Sequence, residues 1–305
     1  MDAGAGRDDR LDGQADGLVG GSVVRTTAST TRAGDWALVL AAAGIRYRLD
    51  AAEGQFSLAV DPADLAAAET ALADFDAEGA PEALPPAPDL GASVLGPLAA
   101  IGFCAMFLVT GTRDGGSRWF EAGAASAQQI ASGQWWRAVT ALTLHADLLH
   151  LVGNVVAALI FVSAAGRWLG GGLAALLILA LAAVANLLTA AVHRTDFVSV
   201  GSSTAIFAAL GLVAGLQVVR RLRLRTRRGY AWVPLGAGLA LYAMLGVGEG
   251  ADRYAHLFGL GIGAVVGLGV AWADPRAPGP SLQALMGAVA LAAVTSCWAL
   301  ALRPH

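Results

Sequence analysis

Val200-Gly201-Ser202-Ser203-Thr204-Ala205-Ile206-Phe207-Ala208-Ala209-Leu210-Gly211-Leu212-Val213-Ala214-Gly215-Leu216-Gln217-Val218-Val219 passes from a short polar opening into a long apolar run. It stops at residues 220–228, which hold six Arg and no acid. A helix that crosses about 30 Å of hydrocarbon needs roughly 20 mostly apolar residues. Residues 203–219 come close to that length, so the stretch is expected to be a membrane-spanning helix with its few polar groups at its N-terminal end. The arginine run marks the other end as cytoplasmic, because short cytoplasmic loops collect Lys and Arg.

The pattern repeats on both sides. Apolar runs are expected to span at about 92–111, 148–166, 172–192, 203–219, 231–247, 253–272 and 282–302, seven in all. The composition agrees: 56% of the 305 residues are apolar, 14% are charged, and the mean hydropathy is +0.60. A soluble domain carries more surface charge than this. Charge is also split along the chain, with 6 Arg against 16 acids in residues 1–91 and 14 Arg against 7 acids in residues 92–305. Counting spans back from the arginine run places the N-terminus in the cytoplasm of a cell whose plasma (inner) membrane holds the chain. Residues 1–33, acidic and Gly-rich without an apolar core segment, accordingly read as lacking a signal peptide.

The region before the spans reads as three parts. Residues 1–33 have too few large apolar side chains to offset the entropy of ordering and are expected to be disordered. Residues 34–80 read as a small soluble α-β-β-α cytoplasmic module: a short helix at 36–43, strands at 45–50 and 55–61 around Glu53-Gly54, and a helix opened by Asp61-Pro62. Residues 81–91 form a Pro-rich linker. Residues 112–147, with Trp119-Phe120 and Trp135-Trp136, are expected to form interfacial helices between the first two spans.

The polar residues of three spans gather in one leaflet. The second span has His150 and Asn154, four apart and so on one face. The fourth opens with Gly201-Ser202-Ser203-Thr204, and the sixth carries His256 about one turn in. Such groups are expensive in lipid and face a bundle interior or a wet cavity, so the three helices are expected to form one polar pocket. A hydroxyl becomes a useful nucleophile when an imidazole takes its proton. Attack on a carbonyl builds an oxyanion that needs donors. Those available are backbone N–H groups at Gly201 and Ser202 and beyond, where the helix N-terminus favours an anion, together with the Asn154 amide and His150. No carboxylate lies inside a span, which favours a dyad over a triad, although Asp252, one turn before His256, is in place either to orient the ring or to cap the helix.

Gly259, Gly263 and Gly267 on the sixth span, and Gly211 and Gly215 on the fourth, form small-residue stripes that allow close backbone approach. They bring a short Ser203 side chain within reach of His256, and Phe207, one turn below Ser203, is placed to stack on the imidazole. Taken singly these residues have plainer readings. Ser203 is then an N-cap, His150 and Asn154 interhelical hydrogen-bond partners, His256 a proton relay, and the glycines packing devices. Cys104 and Cys297 fall inside apolar runs and read as packing residues. The conjunction of a nucleophile, a base and donors at one depth is what rises above these readings.

Gly133-Gln134-Trp135-Trp136-Arg137, Thr140, His145, His150 and Asn154 resemble the first loop and second span of the rhomboid family. Val200-Gly201-Ser202-Ser203-Thr204-Ala205-Ile206-Phe207 resembles its Gly-x-Ser-Gly nucleophile segment, and Ala255-His256-Leu257-Phe258-Gly259 its general-base segment. The likeness covers roughly residues 92–272 in the family's order. It implies an all-α polytopic fold, a six-helix bundle plus one C-terminal helix at 273–305, in which the small α+β module precedes the bundle. It also implies an intramembrane serine endopeptidase with Ser203 as nucleophile, His256 as base, His150, Asn154, Gly201 and Ser202 around the oxyanion, and Phe207 and Gly259 in support. Its partners would be single-span membrane protein substrates and the lipid bilayer, with no nucleic acid, no metal and no cofactor. Three positions depart from the family pattern: Thr204 where a Gly follows the nucleophile, Phe258 where a Gly is common, and Arg167 where a Glu often ends the second span. The first two add bulk beside the dyad.

The alternative to hydrolysis is an inactive rhomboid-like protein that binds transmembrane helices. Small-solute transport would predict inverted repeats and broken helices at the bilayer midplane; the sequence shows neither.

Overall fold

The computed structural model describes residues 21–52, 54–78, 91–193, 197–224, 228–247, 252–273 and 277–303. Two compact units make up the chain, Met1–Ala83 and Leu84–His305.

In the first unit the elements are β1 (Ser22–Thr27), α1 (Thr30–Ala42), β2 (Tyr47–Ala52), β3 (Gln55–Val60) and α2 (Leu65–Glu78). The module therefore starts earlier than the expected boundary at 34, and residues 21–33 are ordered as a strand, a cap and a helix start. The composition of residues 1–33 as a whole conceals a β-branched run, Ser22-Val23-Val24-Arg25-Thr26-Thr27, that pairs antiparallel with β3 from Ser22↔Val60 to Thr27↔Phe56. Sheet order is β1-β3-β2, so β3 is central. A third strand gives the sheet the pairing that a lone hairpin lacks in water. One core joins Val24, Trp36, Leu40, Leu58, Val60 and Leu72. Asp76 ties α2 to the rest by accepting from Trp36 Nε1–H at 3.1 Å and Arg32 Nη2–H at 3.2 Å. Residues 1–20 and most of the expected linker at 81–91 lie outside the described residues.

The second unit is a helical membrane bundle. It begins with α3 (Leu95–Thr110), then three short helices, α4 (Arg118–Gly123), α5 (Ala127–Ala131) and α6 (Arg137–Thr140). Next, α7 (Leu148–Ala157) continues through a π-helical turn, Ala158–Val162, into α8 (Ser163–Leu169). The rest are α9 (Gly171–His193), α10 (Ser203–Arg223), α11 (Arg228–Ala231), α12 (Val233–Leu245), α13 (Arg253–Ala273) and α14 (Pro280–Ala301). Among the described residues six helical segments are long and apolar enough to cross a membrane, the last of them the C-terminal α14. Within the expected span at 231–247 the regular helix is shorter than expected: α12 has only 13 residues, about 20 Å at 1.5 Å per residue. The segment still runs from Arg221 at the C-terminal end of α10 to His256 at the Ser203 end. Pro234 lies in its first turn and Gly246 caps its end, so the helical run is cut at both sides.

Helix α10 is the centre. Of its apolar window 72% is buried, against 17–39% for the other long helices, so α10 is enclosed by protein on nearly all sides. That fits a helix that is apolar all round. Residues 113–147 do not form an open loop. Arg137 Nη1–H donates to the Ala124 carbonyl (3.0 Å), Thr140 Oγ1–H to the Gly123 carbonyl (2.7 Å), and Asn186 Nδ2–H of α9 to the Ala138 carbonyl (2.9 Å). Phe120 is buried and Trp135 exposed, so the aromatic residues of this segment divide between core and surface. A short antiparallel pair, β4 (Ala125–Ser126) with β5 (Val198–Ser199), joins the same segment to the residues just before α10.

Candidate active site

The close contact of α10 with α13 is made of glycine. A Cβ at Gly259 would lie 2.7 Å from the Thr204 carbonyl oxygen, and one at Gly263 would strike the Ala208 carbonyl and stand 3.0 Å from Leu212 N. Gly267 meets the Leu212 carbonyl, and in return Gly211 meets that of Leu260 and Gly215 that of Ala264. Each stripe thus seats on the backbone of the other helix. Both helices then carry their polar ends to one place.

There, Ser203 Oγ and His256 Nε2 are 2.6 Å apart. The opposite ring nitrogen, Nδ1, lies 3.0 Å from the Gly246 carbonyl oxygen. A carbonyl can only accept, so Nδ1 carries the proton and, in the neutral ring, Nε2 is left to accept from the Ser203 hydroxyl. Phe207 lies against the same imidazole, with ring centroids 4.7 Å apart and planes inclined by 30°, and Tyr242 closes on Phe207 edge-on at 6.0 Å. His256 is 4% exposed, so this arrangement is fixed by packing on all sides. Asp252 is a helix cap: its Oδ1 accepts from Ala255 N–H at 2.9 Å, and the Gly246 carbonyl orients the ring in its place.

Beside the nucleophile, Gly201 has φ +130°, a conformation that side chains rarely allow. It also faces the His150 ring, whose Nε2 and Cε1 would each be 2.6 Å from a Cβ at that position. Glycine is required here twice over, and its absence of a side chain is what brings His150 beside Ser203. The Gly201 N–H donates to the Ala141 carbonyl at 2.9 Å, so this amide is occupied. The first bond from the α10 end into the helix runs from Ile206 N–H to the Ser202 carbonyl, leaving the N–H groups of Ser203, Thr204 and Ala205 without intrahelical acceptors. Asn154 is 5% exposed and its Nδ2 has no hydrogen-bond partner among the described residues. An amide donor held dry and unpaired costs stability unless something accepts from it.

Ser202 has a different role from its neighbour. Fully buried, its Oγ is 3.2 Å from His145 Nε2, and the His145 ring in turn meets that of His150 edge-on at 5.4 Å. Burial first, then the neighbouring His150, push the His145 imidazole down to about 4, so it is neutral near pH 7. The pair latches residues 141–145 onto the turn that presents Ser203. Thr204 is buried, with its carbonyl against Gly259; Phe258 is half-buried; Arg167 is exposed on α8. No group of three or more His, Cys, Asp or Glu side chains among the described residues is placed to hold a metal ion.

The structure therefore brings Ser203, His256, Phe207, Gly259, His150, Gly201 and Ser202 together, with Asn154 on the same helix face as His150. Sequence reasoning missed the carbonyls of Gly246 and Ala141, which have no side-chain signature. It also gave His145 no role, although its place five residues before His150 set it in the same motif.

Residues 132–273 match the family model for the Rhomboid domain. The chain is 30% identical over 131 residues to the putative rhomboid protease YdcA of Bacillus subtilis (strain 168), covering 43% of this chain and 65% of that protein. It is also 30% identical over 180 residues to the rhomboid protease GluP of the same organism, covering 56% of this chain and 32% of that one. The chain thus spans less than two thirds of either relative. The matched segment takes in α7, α10 and α13, the helices that carry the site, and stops before α14.

Proposed function

We propose, for a chain that belongs to the rhomboid family, that it is a serine-type endopeptidase cutting peptide bonds in or near the transmembrane segments of other membrane proteins. The observation that carries this reading is the 2.6 Å contact of Ser203 Oγ with a His256 ring whose other nitrogen is committed to the Gly246 carbonyl. As Ser203 Oγ attacks the substrate carbonyl, its proton passes to Nε2 and the carbonyl oxygen becomes an oxyanion. The Asn154 amide, His150 and the free N–H groups at the start of α10 are the donors for it, in a site dry enough for each to count. The imidazolium then gives its proton to the leaving amine nitrogen as the C–N bond breaks, leaving an acyl-enzyme on Ser203. A water, deprotonated by Nε2, attacks that ester, and the proton returns to Oγ as the second product leaves.

A peptide carbonyl inside a helix is already hydrogen-bonded and shielded, so the substrate must unwind locally. Single-span proteins with Gly, Ala or Pro near the cut fit this need. The arginine run after α10 supports a cytoplasmic N-terminus and a site open towards the outer face of the plasma membrane. The test is reconstitution of the full chain in liposomes with a single-span protein carrying such a segment. Wild type is expected to yield two fragments, and Ser203→Ala to bind the substrate and leave it whole. Binding by wild type without fragments would favour the helix-binding alternative over hydrolysis.

A further inference from the structure

Helix α14 lies beyond the segment matched to the family, yet polar bonds hold it to the core at both ends. Near its start, Gln283 bridges the break between α8 and α9. Its Nε2–H donates to the Leu169 carbonyl at 2.8 Å and its Oε1 accepts from Leu173 N–H at 2.9 Å. Near its end, Trp298 Nε1–H donates to Thr143 Oγ1 at 3.1 Å. The indole fills the space left by Gly123, where a Cβ would stand 2.9 Å from Cζ3, and it meets Trp119 edge-on at 5.1 Å. A helix that only faced lipid would need neither bond, since helices in a bilayer gain nothing from simple apolar burial against one another.

The two ends differ in what they reach. Gln283 touches a turn remote in sequence from every site residue. Trp298 reaches the seam on which the nucleophile turn rests. Its apolar cluster includes Leu144 and Val200, the residues immediately before His145 and Gly201. Its hydrogen-bond acceptor, Thr143, donates in turn to the Thr140 carbonyl at 2.8 Å. Between these points lie the two bonds that join the seam: Gly201 N–H to the Ala141 carbonyl, and His145 to Ser202. We propose that Trp298 is a positioning residue for Ser203: through Thr143, Leu144 and Val200 it sets residues 141–145 against residues 200–203. The C-terminal helix is thereby part of the site's scaffold, and Gln283 serves only to dock it.

The kinetic arm of the test rests on Ser203 being the nucleophile; the exchange arm does not. Full-length wild type, Trp298→Phe, Thr143→Val, the double variant and Gln283→Ala are compared by three measurements. These are thermal unfolding, the rate of fluorophosphonate labelling, and amide hydrogen exchange of a peptide containing Gly201. Thr143→Val keeps the shape and so removes chiefly the hydrogen bond, whereas Trp298→Phe also withdraws the six-membered part of the indole from the space at Gly123. Each is expected to slow labelling about five- to tenfold and to speed exchange at Gly201. The double variant should be no slower than the worse single one, because both remove one bond. Gln283→Ala is expected to lower the melting temperature while labelling and exchange stay at wild-type rates. Wild-type exchange and labelling in both Trp298→Phe and Thr143→Val would overturn the proposal, and so would a Gln283→Ala protein that copies them. A wild type that never labels would refute the reading of Ser203, and faster Gly201 exchange in Trp298→Phe would still establish the positioning role.

Discussion

His256→Ala is expected to fold with a lowered melting temperature, from the cavity left by a buried ring, and to label with a fluorophosphonate about a thousandfold or more slowly, within the range general-base removal produces. That it still folds rests on how little else His256 does. Its ring accepts from Ser203, donates to the Gly246 carbonyl and lies on Phe207. The close packing of its helix is carried by Gly259, Gly263 and Gly267 instead. Without Nε2 at 2.6 Å the Ser203 hydroxyl keeps its proton, and the nucleophile reverts to an ordinary alcohol. Thermal unfolding in detergent separates the loss of chemistry from loss of fold. A His256→Ala protein that labels at the wild-type rate would remove the base from the mechanism.

The second large effect is expected from a single methyl group. Gly263→Ala places a Cβ against the Ala208 carbonyl and 3.0 Å from Leu212 N, contacts with rigid backbone that cannot give way locally. Helices α10 and α13 must move apart, and the change lies seven residues along the helix from His256, about 10 Å at 1.5 Å per residue. A displacement of about 1 Å at the reacting atoms costs on the order of a hundredfold in rate. Overpacking itself costs about 1–3 kcal/mol, so both labelling and melting temperature should fall. Gly261→Ala is the control: it is the same substitution on the same helix, but a Cβ there meets nothing within 4 Å. It is expected to leave both quantities unchanged. Equal losses in the two variants would mean that helix propensity or lipid contact, and not the α10 and α13 contact, sets the geometry.

These stripes were legible because spacing alone decides which side of a helix faces a neighbour. Gly259, Gly263 and Gly267 repeat every four residues, as do Gly211 and Gly215, and polar side chains at the ends of the same helices indicate which way each is oriented. Ser203, His256 and Phe207 could be brought together from that pattern. Backbone groups could not. The carbonyl of Gly246 orients His256 because α12 stops there, and the carbonyl of Ala141 takes the Gly201 N–H because a loop more than fifty residues earlier folds back. Neither leaves a mark in residue type. For the same reason Gly201, read as a donor towards an oxyanion, proves to matter through its φ and its missing Cβ.

Length and composition left two elements inexact. The run at 231–247 has the apolar content of a span, but Pro234 and Gly246 shorten its regular helix to 13 residues. Residues 1–33 are poor in large apolar side chains as a whole, and that average hid one six-residue strand whose partner, β3, lies thirty residues further on. Strand pairing of this kind is non-local, so a window read on its own cannot contain it. The same holds for α14. Its apolar length was evident, whereas the bonds of Gln283 and Trp298 depend on where α9 and the 140–145 segment come to lie.

Ser202 and Ser203 each face a histidine, and mapping a fluorophosphonate adduct on wild-type protein by peptide mass spectrometry tells them apart. The adduct is expected on Ser203, beside the ring whose proton is fixed on Nδ1, and not on Ser202, which is fully buried against His145. Modification of Ser202, or no modification of folded protein under conditions that label an active rhomboid protease, would contradict the assignment of Ser203 and His256 as the catalytic pair.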